Sequence, residues 1–266
     1  GEFGIILSNF LDISLRTSIF LIQTTIHTSY LIFIYFYFRE LKFNILQVFA
    51  LYAPIFLLYP IAELEALGRK EIILFLFFLT TIYFSAKKFD SKIINNLIFF
   101  ISPIVCLIWE QVVLFFPFFA AVLIFKNNLK TFKQVFKKLL IIFCPAIVTF
   151  AYIFITPLSN TGHQMMCNFL INEFGENCYM SASMLVTSTI HFDTLWVHDN
   201  AHFEHYFRYT LIFLIGFLPL HILVSKNNFI EKKNFITKNF KLRTLFFILY
   251  LPVLLLFMFG YDWGRW

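Results

Sequence analysis

LIFFISPIVCLIWEQVVLFFPFFAAVLIF, residues 97–125, is one apolar stretch of 29 residues interrupted chiefly by Glu110 and Gln111. A helix needs roughly 20 apolar residues to cross a hydrocarbon core about 30 Å thick. The stretch therefore reads as membrane-embedded, either as two short spans joined by a tight hairpin near Glu110 or as one long broken helix. Pro103 and Pro117 suit both forms, because a proline removes a backbone donor and kinks a helix.

The rest of the chain has the same character. Hydrophobic residues make up 60% of the 266, and the mean hydropathy is +0.78, against roughly 45–50% apolar residues in soluble domains. A soluble core could not absorb that much apolar surface. Scanning with a window of about 19 residues places apolar runs at 17–38, 45–62, 72–86, 96–109, 111–125, 139–157, 209–225 and 244–260. The expected fold is all-α, a polytopic transmembrane helix bundle of about eight spans forming a single domain over 1–266. The 40 Phe residues, with many Ile, Lys and Asn, fit an AT-rich genome as well as they fit any chemistry. The chain opens at Gly1 without Met and stops at Trp266 inside an apparent motif, so it reads as a fragment of a longer protein, and no cleaved secretory signal is recognisable.

Charge gives an orientation. With eight spans and an outer N-terminus, the inner loops receive 16 of the 21 Lys and Arg residues, among them Lys126, Lys130, Lys133, Lys137 and Lys138. Only Arg16, Arg69, Lys70, Arg208 and Arg265 fall outside, an asymmetry that follows the positive-inside rule. Three acids go inward and twelve outward, so the net +6 divides into about +13 inside and −7 outside. Topology thus explains the basic pI of about 9.1, and nucleic-acid binding is not expected. The long connection 158–208 falls on the outer side, where a loop of this length is functional or disordered. Its helix-like stretches Met165–Phe174 and Met180–Ile190 favour a folded cap. Cys167 and Cys178 both lie in it, and in an oxidising compartment a bond between them would stabilise by roughly 3 kcal/mol; two free thiols are the alternative.

Four outward constellations could carry chemistry. In PIAELEALGRKEI, Glu63, Glu65, Arg69, Lys70 and Glu71 crowd one short loop, with Arg69 and Lys70 at the start of the next span. An arginine fork matched to phosphate, aided by a helix N-terminus, is one reading, and a salt-bridge cluster within the loop is the other. Glu110 stands between apolar residues and is either a desolvated general acid or base or a solvated turn residue. The segment HFDTLWVHDNAHFEHYFR holds His191, His198, Asp199, His202, Glu204 and His205. His198 and His202 share a helix face at i, i+4, but no complete metal signature is present. They read as a polar surface toward a substrate, with an amphipathic loop helix as the rival. Arg208 follows as a further outward cation. The closing GYDWGRW pairs Asp262 with Arg265 between interfacial tryptophans, as an anion grip or as a snorkelling belt residue with its counter-ion. His27 and His221, single polar residues within spans, read as interhelical hydrogen-bonding partners. No Walker loop, G-x-G-x-x-G, nucleophile elbow or CxxC occurs, so neither a cofactor nor a metal is implied.

With its aromatic-rich spans, one large outer loop before the final spans, outward arginines at span ends, LGRKEI and the terminal DWGRW, the chain resembles the O-antigen polymerase and EpsG-like families of bacterial surface-polysaccharide polymerases. The resemblance implies transfer of a glycan from a polyprenyl-pyrophosphate carrier onto the next repeat unit at the outer face of the inner membrane, beside other polysaccharide-assembly proteins and membrane lipid. Arg69, Arg208 and Arg265 would hold the pyrophosphate, Lys70, His198 and His202 would be further substrate contacts, and Glu110 or Asp262 would be the base. A multi-span lipid-sugar-dependent glycosyltransferase using Glu63 and Glu65 is an alternative. A transporter or flippase is another, although the eight glycines and the lack of an internal repeat speak against it.

Overall fold

The computed structural model describes residues 2–39, 70–87, 89–156 and 159–175, together with positions 45, 48, 203, 204, 207, 210, 211, 214, 215 and 248–253. The described residues are all-helical, and four of the helices are long and apolar enough to cross a membrane. In chain order the elements are α1 (Glu2–Leu11), α2 (Leu15–Phe38), α3 (Glu71–Ala86), α4 (Ser91–Ile108), a 3-10 helix (Glu110–Phe115), α5 (Phe116–Asn127), α6 (Phe132–Ile155) and α7 (Asn160–Phe174). The membrane-length helices are α2, α4, the 3-10 helix continued by α5, and α6. Apolar α3, at 16 residues, is about 24 Å long. The runs expected at 45–62, 209–225 and 244–260 lie largely outside the described residues, apart from 45, 48, 210, 211, 214, 215 and 248–253.

Local chemistry sets the boundaries. Ser14 caps α2 by accepting from the Thr17 N–H at 3.1 Å, and Asp90 caps α4 through the Lys92 N–H at 3.1 Å. Pro117 sits in the first turn of α5, where its missing donor costs nothing, and Asn128 ends that helix in the left-handed conformation. Thr131 and Gln134 form a capping box that starts α6 at Phe132, a full turn and more before the apolar run expected from 139. α1, too short for a spanning window, was not anticipated. It folds back along α2 through a turn at Asp12 (φ 52°), with Ser18 Oγ donating to Gly4 O at 2.7 Å. A Cβ at Gly4 would stand 3.2 Å from Ile19 Cγ1, so the close approach favours glycine.

The stretch 97–125 is a hairpin. Asn127, at the end of α5, donates through Nδ2 to Asn95 Oδ1 at 3.2 Å, and Asn95 at the start of α4 answers through its own Nδ2 at 3.5 Å. Positions 32 residues apart can meet this way only if the chain reverses between them. It reverses at Trp109, whose extended backbone (φ −151°, ψ 100°) stops α4. Lys126 Nζ donates to Ser85 O at 3.0 Å and Lys87 O at 3.2 Å, which brings the end of α3 to the same place. The turns bearing Lys87, Lys92, Lys126 and Lys130 thus share one end of the bundle, and the Trp109–Glu110 turn is at the other. On α2 and α3, the ring pairs Tyr30–Phe75 (6.5 Å) and Phe33–Tyr83 (5.7 Å) follow the same chain order, so those helices run parallel.

The core lies where α3, α4, α5 and α6 meet. Ile94, Ile98, Ser102 and Val105 recur at helical spacing on the buried face of α4. Phe77 meets Phe119 at 4.6 Å, and Phe116 stacks on Phe143 at 4.4 Å. In lipid such contacts hold helices together by van der Waals packing rather than by exclusion of water. Thr25 and Ser29, exposed on α2, return their hydroxyls to the carbonyls of Leu21 and Thr25, so neither presents an unpaired donor to hydrocarbon.

Candidate functional site at the Glu110 end

The hairpin turn begins with Trp109, 6% exposed and 5.7 Å from the Phe115 ring. Its N–H donates to Val105 O at 2.9 Å, and its carbonyl accepts from the Val112 N–H at 3.2 Å, which winds the next residues into a 3-10 helix. Glu110 opens that helix and is half-buried. Glu110 therefore stands at the turn between the two arms of the hairpin.

Gln111 follows, and its Oε1 is buried with no hydrogen-bond partner among the described residues. Sequence reading noted this residue only as an interruption. The available signal was that Glu110 and Gln111 stand adjacent in the middle of the 29-residue stretch. A buried carbonyl left unpaired costs roughly 1–3 kcal/mol, and native proteins seldom tolerate it without a use.

Lys70 and Glu71 start α3. Because α3 runs the same way as α5, with Phe77 beside Phe119 and Ser85 beside Lys126, its first residues lie at the Glu110 end. Of the residues singled out in the sequence, the structure therefore gathers Lys70, Glu71 and Glu110 at one end of the bundle, with Gln111 added. Arg69, Glu63, Glu65, His191, His198, Asp199, His202, His205, Arg208, Asp262 and Arg265 lie outside the described residues. α6 runs from the lysine-bearing end toward the Glu110 end, and α7 follows it after a short connection. The expected helical stretch 165–174 is part of α7, which Ser159 caps and Gly175 (φ 64°) ends.

Cys167, on α7, is disulfide-bonded, and its Sγ lies 3.5 Å from His163 Nε2. Cys178, its expected partner, lies outside the described residues, while Cys106 and Cys144 are free. At His27, where an interhelical hydrogen bond is expected, none is made through Nδ1 among the described residues. That nitrogen is buried, and the ring meets Tyr30 edge-on at 6.3 Å. Chemically, the Glu110 end offers a carboxylate that can take a proton, an amide carbonyl ready to accept a hydrogen bond, and a cation. Comparison with known protein families, curated proteins and solved structures returned no match.

Proposed function

We propose that the chain is a membrane-embedded polymerase of cell-surface polysaccharide, a glycosyltransferase of about eight spans in a bacterial plasma membrane, with residues 158–208 as its outer, periplasm-facing loop. The carrying observation is that Lys70, Glu71, Glu110 and the unpaired Gln111 share the bundle end opposite the lysine-bearing turns. Supporting the span count, α2 and α3 run parallel, as they do when one return span lies between them. Supporting the orientation, the lysines of two turns, 87–90 and 128–131 with their flanks, collect at one end, and the disulfide-bonded Cys167 lies beyond the other, where an oxidising compartment would preserve it.

In this reading the donor is a polyprenyl-pyrophosphate-linked glycan and the acceptor a sugar hydroxyl of the next repeat unit. Glu110, or Asp262, takes the hydroxyl proton as the oxygen bonds to the anomeric carbon. The bond from that carbon to the pyrophosphate oxygen breaks, and the lipid pyrophosphate leaves with the electron pair. Arg69, Lys70, Arg208 and Arg265 hold the leaving group through charge-assisted hydrogen bonds, and His198 and His202 contact the glycan.

Polymer length from cells carrying Glu110→Gln or Asp262→Asn tests this. Loss of a general base lowers a rate by about a hundredfold or more. At least one variant is therefore expected to accumulate lipid-linked single units on the outer face in place of a long ladder. A flippase defect would accumulate those units on the inner face. Normal ladders from both variants at wild-type protein level would overturn the reading.

A further inference from the structure

The geometry points to a binding site for an anionic phospholipid along the outward face of α6, with its headgroup at Lys133 and Lys137. Val135, Ile142, Phe143 and Ala146 form the buried face of the helix. On the opposite face an exposed apolar stripe runs through Leu140, Ile141, Ile147 and Val148. Stepping back along that stripe at helical spacing, the next two positions toward the N-terminus are Lys137 and Lys133, both exposed.

Length fixes their height. α6 has 24 residues, about 36 Å at 1.5 Å per residue, against a hydrocarbon core of about 30 Å. Its apolar part begins at Leu139, so the first seven residues, about 10 Å of helix, project into the headgroup layer. There Phe132 and Phe136, exposed and stacked at 6.2 Å, sit at the boundary.

Charge selects the occupant. Lys130, Lys133, Lys137 and Lys138 fall within nine residues, and among the described residues none of them has an acidic partner. The acid described at this end, Asp90, is committed to capping α4. The positive end of the α6 dipole adds to the field instead of relieving it. A zwitterionic lipid would bring its own cation to these lysines, whereas an anionic one supplies the missing charge while its acyl chains cover the stripe. The site is independent of the polymerase reading.

Native mass spectrometry of the full chain in neutral detergent, titrated with phosphatidylglycerol or phosphatidylcholine, tests it. Phosphatidylglycerol is expected to bind preferentially. Lys133→Gln with Lys137→Gln should weaken that binding by about thirtyfold, from the attraction of two lysines for an anionic surface. Lys92→Gln, which removes an exposed charge at the same end from α4, should leave it unchanged. Lys133→Arg with Lys137→Arg should bind as the wild type does, and that pair decides the matter with the wild-type selectivity if Lys133→Gln with Lys137→Gln fails to fold. Equal affinity of the wild type for both lipids, or of a folded glutamine variant and the wild type for phosphatidylglycerol, would overturn the proposal.

Discussion

The hairpin 91–127 carries side-chain amides at both of its ends, and the two ends treat them oppositely. At the lysine-bearing end Asn95 and Asn127 donate to one another, Asn127 also donates to Leu123 O at 2.9 Å, and Lys126 closes two backbone carbonyls of the α3 terminus. Each of these polar groups is spent on holding three helices in register. At the Glu110 end the Gln111 carbonyl is buried and, among the described residues, unpaired, beside a carboxylate in a short 3-10 helix. In a low-dielectric setting a satisfied network rigidifies, and an unsatisfied group is costly unless something else completes it. The contrast separates an end whose described amides are satisfied from one that leaves an acceptor open, and on the proposed function the open end is where the chemistry lies.

The largest effect that could break the comparison is all-or-none. If the two ends face opposite compartments, Lys130→Cys should react with an impermeant thiol reagent only after the cells are opened, while Asn168→Cys should react in intact cells. Both are exposed positions, outside the membrane-length helices. The free Cys144, exposed on α6, is replaced in the background. The reverse pattern would invert the orientation, and labelling of both positions in intact cells would place the two ends on one side.

Next in size is the closed end. Asn127→Leu leaves Asn95, 9% exposed, without its partner, and orphaning a buried amide costs roughly 1–3 kcal/mol. Unfolding in detergent should shift by that amount. Adding Asn95→Leu should recover much of the loss, since exchanging both partners for apolar groups can be nearly neutral. A double variant as unstable as the sum of two destabilising singles would mean that each amide serves a different partner.

The all-helical class and four membrane-length helices were legible in the sequence because hydrophobic run length is a direct statement about bilayer thickness, while the count of eight rests on runs that lie largely outside the described residues. The described helices 15–38, 71–86, 91–108, 110–127 and 132–155 each overlap an expected run. Hairpin or broken helix was not decidable, because the deciding contact joins Asn95 to Asn127, and apolar run length says nothing about a pairing across 32 residues. The early start of α6 was legible but overlooked: Thr131 and Gln134 have the spacing of a capping box, a signal a hydropathy window averages away. At the candidate site, isolated charges among apolar residues singled out Glu110 and Lys70. Gln111 escaped because its interest lies in an unmade hydrogen bond, which only three-dimensional packing can reveal.

The smallest expected effect bears most directly on the contrast. Gln111→Met keeps the length of the side chain and removes its unpaired carbonyl. If that carbonyl is held unsatisfied in the resting protein, the substitution should stabilise, by about 1 kcal/mol, since the desolvation penalty of an orphaned acceptor is relieved. A gain in stability at a natural residue, accompanied by shorter polymer, is the trade expected where a group is kept for function at the expense of the fold. The readings must be taken together, unfolding midpoint in detergent beside chain length in cells at matched protein level. Stabilisation with unchanged polymer would leave Gln111 as an unused cost and confine the chemistry to Glu110. Destabilisation as large as that of Asn127→Leu would show that Gln111 is partnered in the membrane, and the distinction between the two ends would then fall.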